Sequence, residues 1–332
     1  MQNPEIFALL KEFSKKKILV VGDIMVDEYL WGGVTRISPE APVPVVTCNK
    51  REHRMGGAAN VCINLKAMGA QPIMCSVIGK DEIGGIYKSL LGKNLMTDAG
   101  IIESKSRVTT IKTRVIGDHQ HLLRVDKEIT DFLDERTEEE FIERIEIILK
   151  KENIDAVIFQ DYDKGVLTGK VIDMVTDFAG ENKIVTLVDP KKRSFGHYHD
   201  ITLFKPNFKE LTEGLNIEIE KEDFEGIYNA VKILHEHSRI KNVMVTLSEQ
   251  GVFISTGDKY RVIPAEIRDI ADVSGAGDTV VSIAALGLAS NLSPVKCAAL
   301  ANLAGGLVCE KVGVAPITPH LLINEDYALP ED

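Results

Sequence analysis

The sequence predicts a three-layer α/β fold with a mostly parallel central sheet and a small β-element set apart from it. Short, β-branched apolar runs recur at Lys17–Gly22, Ala156–Phe159, Lys183–Val188 and Asn242–Leu247, and such runs suit strands buried on both faces. Helical patterns separate them, as right-handed βαβ crossovers require. Two stretches depart from this alternation, approximately 31–50 and 107–126. In the first, Gly32-Gly33, Ser38-Pro39, Pro42 and Pro44 break up short apolar pieces. The two read as edge strands and turns of a discontinuous β-lid on a single domain, 1–332.

Taken in order, the opening MQNPEIFALLKEFSKKK is an acidic-basic helix, unlike a signal peptide. The first strand ends in Gly22-Asp23. A helix is expected from about Gly57 to Met68 with Gly69 as its stop, followed by strands at Pro72–Ile78 and, more polar, Arg107–Ile116 and His121–Asp126. Thr137-Glu138-Glu139-Glu140 has the capping-box pattern, and Phe141, Ile142, Ile145 and Ile148 follow at helical spacing. Phe253–Ser255 and Tyr260–Pro264 flank Gly257-Asp258 as a hairpin. Two helices close the chain, one from about Gly277 and one begun by Ser293-Pro294 at N-cap and N1.

The 332 residues carry 39 Lys+Arg against 50 Asp+Glu, a formal charge of −11. That balance disfavours general nucleic-acid or anionic-membrane binding, whose footprint is basic. It leaves room for a small anion held by a few local cations. Apolar residues make up 44%, ordinary for a folded globular chain, and no run reaches the length of a membrane span. Cys48, Cys62, Cys75, Cys297 and Cys309 are odd in number, far apart and mostly in apolar company, which suits reduced core thiols of a cytoplasmic protein. His119 and His121 lie two apart, as do His235 and His237, a spacing that does not bring helical side chains together, and no third zinc ligand is in view.

The chemistry concentrates in Asp272-Val273-Ser274-Gly275-Ala276-Gly277-Asp278-Thr279. Two glycines around an alanine at a helix start leave N–H groups of Gly275, Ala276 and Gly277 open to phosphate oxygens, helped by the helix dipole. Asp278 beside them would repel a phosphate, yet suits a base that takes the proton of an attacking hydroxyl. The same residues are open to a blander account, close helix–strand packing with Asp278 as a cap.

The segment Asp272–Thr279 resembles the C-terminal signature of the ribokinase-like (PfkB) carbohydrate kinases. Gly56-Gly57-Ala58-Ala59-Asn60 resembles their N-terminal signature, Asn207-Phe208-Lys209-Glu210 their Asn-x-x-Glu motif, and Thr246–Gly251 their nucleotide-side strand and turn. Within that family, Gly22–Tyr29, Ser38–Val46, Thr113-Arg114, His119–Asp126, Asp161–Leu167 and Val188–Lys191 are similar to the D-glycero-β-D-manno-heptose-7-phosphate kinases, without the fused cytidylyltransferase and its His-x-Gly-His motif. Asp163 and Lys192 stand where that subfamily usually has Gly.

The resemblance implies a ribokinase-like fold, phosphoryl transfer from ATP to a sugar phosphate, and a set of roles. Asp278 would be the base, with the Gly275–Gly277 amides as the anion hole. Thr246, Ser248, Gly251 and Asn302 would lie against ATP. Asn207 and Glu210 would act through Mg²⁺ and its waters, although they also fit a capping box; a monovalent cation is a further candidate cofactor. Asp27, Gly56, Gly57 and Asn60 would take the sugar, and Arg107, Arg114, Arg124, Lys164 and Lys191 are the candidate cations for its phosphate. The exposed lid is expected to pair two subunits into a homodimer. Another sugar kinase of the family, or a catalytically silent binding protein on the same scaffold, would share most of these features.

Overall fold

The computed structural model describes residues 4–118, 120–311 and 313–331; His119, named above, lies outside them. Helix α1 (Pro4–Phe13) leads into β1 (Lys17–Gly22). Two long strands follow, β2 (Ile24–Ile37) and β3 (Pro44–Gly57), and β3 runs directly into α2 (Ala58–Ala67). Next come β4 (Gln71–Gly79), α3 (Glu82–Lys93), β5 (Gly100–Ser104), β6 (Ile111–Gly117) and β7 (Gln120–Lys127). The middle of the chain alternates: α4 (Glu135–Lys151), β8 (Ala156–Gln160), α5 (Gly169–Asn182), β9 (Val185–Asp189), β10 (Leu203–Phe204), α6 (Phe208–Leu215), α7 (Phe224–His237) and β11 (Asn242–Thr246). The hairpin β12 (Val252–Ser255) and β13 (Tyr260–Ile263) precedes α8 (Ala276–Ala289), α9 (Pro294–Cys309) and α10 (Pro319–Ile323).

The main sheet has nine strands in the order β13-β12-β11-β10-β9-β8-β1-β4-β5. From β5 to β11 every pairing is parallel, and β12 and β13 are added antiparallel. The apolar runs work as double-faced strands. In β1, Ile18 and Val20 enter the core on one face, with Leu65 of α2 and Val281 of α8. Leu19 and Val21 enter the core on the other, with Phe141 of α4 and Val171 of α5. Helices therefore cover both faces, as expected for a parallel sheet.

A second sheet, ordered β3-β2-β6-β7, stands apart. The sequence places its segments at 31–50 and 107–126. In the structure the first pair of strands begins earlier and ends later, because β2 leaves the end of β1 at Ile24 and β3 continues to Gly57. The second segment, which holds β6 and β7, is shorter at its start than expected: residues 107–110 precede β6. A further correction concerns α4. Its N-cap is Asp134, whose side chain accepts from Thr137 N, so Thr137 sits at N3 and is not the cap. The run Lys183–Val188 is likewise trimmed, since Lys183 caps α5 in a left-handed conformation, φ 57°.

Among the described residues no helix is long and apolar enough to cross a membrane. No cluster of His, Cys, Asp and Glu able to hold a metal directly occurs among them. His235 is tied to Ile240 O and Ser255 Oγ, at 2.7 and 2.9 Å. The shift of the α4 cap gives a direct test. Asp134→Ala removes an acceptor shared by Thr137 N, Thr137 Oγ1 and Ser106 Oγ, and is expected to lower the unfolding free energy by about 1 kcal/mol in urea titrations.

Candidate active site

The carboxyl ends of the parallel strands meet the N-terminus of α8, where open α/β sheets characteristically take ligands. Gly275 adopts φ 83° and ψ 0°, a left-handed conformation that glycine takes without steric cost, and this turns the chain into α8. Ala276 N donates to Val273 O at 3.3 Å, while the N–H groups of Gly275 and Gly277 donate no hydrogen bond among the described residues. Unpaired amides at a helix N-terminus favour an anion. A Cβ on Gly277 would lie 3.9 Å from both Asp189 Oδ2 and Lys205 Nζ. A buried ammonium therefore faces the same turn.

Asp278 opens α8 and is 6% exposed. Its Oδ2 accepts from Asn60 Nδ2 at 2.7 Å. Its Oδ1 accepts from Tyr162 OH at 2.8 Å and from Gln160 Nε2 at 3.2 Å. Gln160 Nε2 also reaches Asp189 Oδ2 at 3.1 Å, and Lys205 Nζ pairs with Asp189 Oδ1 at 3.1 Å. Burial pushes the Asp278 carboxyl up to about 6, opposed by the Asn60 and Tyr162 bonds; the Asp189 charge adds to the rise and Lys205 opposes it. Such a carboxylate is ionised at neutral pH and basic enough to take a proton.

Two depressions lie here, one lined by Asp278 and the other by its partner Asn60. The larger, a cleft of 830 Å³, contains Asp278, Gly275 and Gly277, together with Thr246, Ser248, Gly251 and Asn302. Asn207 and Glu210 line it too, so all the residues expected on the nucleotide side share one cleft. Asn207 and Glu210 also form a true capping box on α6: Glu210 N donates to Asn207 Oδ1 and Asn207 N to Glu210 Oε2, each at 2.8 Å. The other Glu210 oxygen pairs with Lys191. Both carboxylate oxygens are thus engaged, which suits a hydrated Mg²⁺ held through its waters better than a bare ion.

The smaller depression, 230 Å³, is lined by Asp27, Tyr29, Arg54 and Asn60 among others. Asn60 thus borders one depression while donating to the carboxylate of the other. Arg114 Nη1 donates to Asp27 Oδ1 at 2.5 Å. Gly56 makes this arrangement possible, since a Cβ there would fall 2.2 Å from Asp27 Oδ2. Gly57, at the start of α2, holds φ 61°. The guanidinium groups of Arg54 and Arg114 lie 4.7 and 5.3 Å from the centroid of the Tyr29 ring.

The structure does not bring the five expected cations together. Arg107 donates to the carbonyls of Asp131 and Lys164. Arg124 pairs with Asp126 at 3.0 Å and Lys164 with Glu128 at 2.9 Å. Lys191 lines the large cleft beside Glu210 and not the depression of Asp27. Only Arg114 of the five touches Asp27 among the described residues.

The model for the pfkB family of carbohydrate kinases matches residues 15–321. The chain belongs to that family. It is an ATP-dependent sugar kinase. It is 39% identical over 92% of its length to the bifunctional protein HldE of Aliarcobacter butzleri and 37% identical over 98% to that of Geotalea uraniireducens, spanning 63% and 66% of those proteins. In fold it is similar to phosphofructokinase-2 of Escherichia coli in complex with potassium, with TM-score 0.75, 18% identity, and coverage of 93% of this chain and 97% of that one. A ribokinase of Arabidopsis thaliana complexed with ribose and ATP gives TM-score 0.70 at 17% identity, again over 93% and 97%.

Four parts of this kinase's site escaped the sequence: Gln160, Tyr162 and Lys205 around Asp278, and Arg54 beside Asp27. A signal for the first three does exist. Gln160 ends β8, Tyr162 follows it by two residues, and Lys205 follows β10, so each is a polar residue at the carboxyl end of an apolar run. Asp163, which replaces the Gly usual in the resembled subfamily, holds φ 58°, a left-handed position that Asp tolerates better than most side chains. The Asp278 carboxyl is expected to titrate near pH 6: protonated below, ionised above. Carbon-13 NMR of labelled aspartate side chains checks this, and the resonance must vanish in Asp278→Asn.

Proposed function

We propose that this kinase transfers the γ-phosphoryl group of ATP to the anomeric (C1) hydroxyl of D-glycero-D-manno-heptose 7-phosphate, giving the 1,7-bisphosphate, with Asp278 as base. The observation that carries this is the hydrogen bond from Asn60, which lines the small depression, to Asp278, which lines the large cleft. A sugar seated by Asp27 and Asn60 and a nucleotide in the large cleft would meet at the carboxylate. The heptose 7-phosphate assignment is supported by the segments Gly22–Tyr29, Ser38–Val46 and Val188–Lys191 and by the 37–39% identity to proteins named HldE. It would stand at the step that commits a heptose phosphate to nucleotide activation for lipopolysaccharide or another surface glycan.

Asp278 removes the C1 hydroxyl proton as that oxygen attacks the γ-phosphorus. The bond from the γ-phosphorus to the bridging oxygen of ADP breaks, and ADP leaves with that electron pair. The Gly275 and Gly277 amides take the charge on the transferred oxygens; of the three amides expected there, that of Ala276 is already committed to Val273 O. Lys205, held by Asp189 against Gly277, adds a cation there. Asn207 and Glu210 would hold Mg²⁺ through its waters, and the ion would supply positive charge to the nucleotide phosphates. Thr246, Ser248, Gly251 and Asn302 border the rest of the nucleotide. The 7-phosphate falls to Arg114 and Arg54, whose planar forks grip phosphate in bidentate fashion.

The β3-β2-β6-β7 sheet acts as a lid that excludes water, a competing acceptor. Its outer strand β7 leaves Leu122, Leu123 and Val125 exposed at 38, 58 and 51%, a patch that a second copy covers in a homodimer. The five cysteines are reduced thiols, four of them buried, which fits a reducing cytoplasm. Asp278→Asn is expected to lower kcat about a thousandfold with nucleotide affinity retained; near-normal turnover would refute the base role. Assayed against a sugar panel, heptose 7-phosphate must support ATP consumption; activity with a free hexose alone overturns the substrate. Light scattering at micromolar concentration must give twice the monomer mass, and a monomer removes the lid-paired dimer.

A further inference from the structure

We propose that Tyr162 is a positioning residue that fixes Oδ2 of Asp278 as the oxygen that takes the acceptor's proton. This rests on the base role proposed above. A carboxylate oxygen offers two in-plane lone pairs. Oδ1 has both occupied, by Tyr162 OH at 2.8 Å and Gln160 Nε2 at 3.2 Å. Oδ2 receives only Asn60 Nδ2, at 2.7 Å, and keeps one lone pair. Asn60 lines the depression that holds Asp27, so the open lone pair belongs to the oxygen on the sugar side.

Tyr162 is held for this task from below. Asp23, at the end of β1, accepts from Tyr162 N at 2.9 Å and Lys164 N at 3.1 Å through Oδ2, and from Val166 N at 3.1 Å through Oδ1. These bonds fix the strap 161–166, and Lys191 Nζ lies 5.8 Å from the Tyr162 ring centroid. Burial, and then the Asp278 charge, push the phenol well above its ordinary value, so Tyr162 remains a donor at any working pH. The charged groups facing Asp278 from neighbouring elements are Asp189 at the end of β9 and Lys205 beyond β10. From α2 and β8 come the neutral Asn60 and Gln160, while Lys296, the charged residue of α9, pairs with Glu5.

The experiment is a pH profile of kcat/KM for the sugar. In Tyr162→Phe the donor to the ionised form is lost, and the acid limb moves to higher pH by about one unit, a tenfold loss on the acid side. Replacing Tyr162 by 3-fluorotyrosine, a stronger donor of nearly the same size, moves the limb to lower pH. Both variants keep the KM for ATP. A role in packing alone lowers activity by one factor at every pH and leaves the limb in place, and that result in the fluorotyrosine protein overturns the proposal even where the Phe protein fails to fold. If Asp278→Asn is inactive while both limbs stay fixed, only the Tyr162 assignment falls. If Asp278→Asn is active, the base role falls with it.

Discussion

One ionisable carboxylate, kept out of water at the first turn of α8, is the constraint around which the molecule is arranged. Burying a charge is costly unless hydrogen bonds replace its hydration. Here the replacement comes from α2, from the end of β8 and from the strap after it, segments far apart in the chain. They converge only if α8 is fixed in depth and rotation. That is why the helix is buried on all sides from Asp278 to Gly287. It is also pinned to α2, with Thr279 Oγ1 donating to Asn64 Oδ1 at 3.1 Å and Ser282 Oγ to Val61 O at 3.3 Å.

The electrostatics of the two depressions follow a common plan. The chain as a whole is acidic, −11, yet Lys191 and Lys205 line the large cleft, Arg54 lines the small depression, and Arg114 stands on its Asp27. None is left alone: Lys205 pairs with Asp189, Lys191 with Glu210, Arg114 with Asp27. A partly buried cation without a carboxylate would be expensive in the free protein. Paired, it stays charged and oriented, and a phosphate then competes for a guanidinium or ammonium whose direction is already set.

Much of this was legible in the residues, and the exceptions have physical reasons. Strands β1, β8 and β11 announce themselves because a strand covered on both faces must be apolar throughout. The polar β2 and β3 do not, since past Tyr29 and before Met55 they are only partly buried, and no alternation marks their ends. Two-residue β10 is too short for any pattern. Thr137 reads as a cap because Thr-x-x-Glu satisfies the pattern; Asp134, three residues earlier, has the same spacing to Thr137 and wins by accepting its N–H. The Gly275–Asp278 turn was readable because its parts are contiguous. Arg107 and Lys164 were not, because a long cationic side chain takes its partner from whichever distant segment folds beside it, as Arg107 does with Asp131; Arg124 turns instead to Asp126, two residues on.

The seamless passage from β3 into α2 ties the second sheet to the heart of the site. Gly57 ends the strand and Ala58 begins the helix, and Asn60 lies within its first turn. No slack segment separates the platform carrying Asp27 from the amide that grips Asp278. A tilt of that platform is therefore transmitted as a lever arm to the Asp278 carboxylate, so that, under the function proposed above, filling the small depression and aligning the base would be a single mechanical variable.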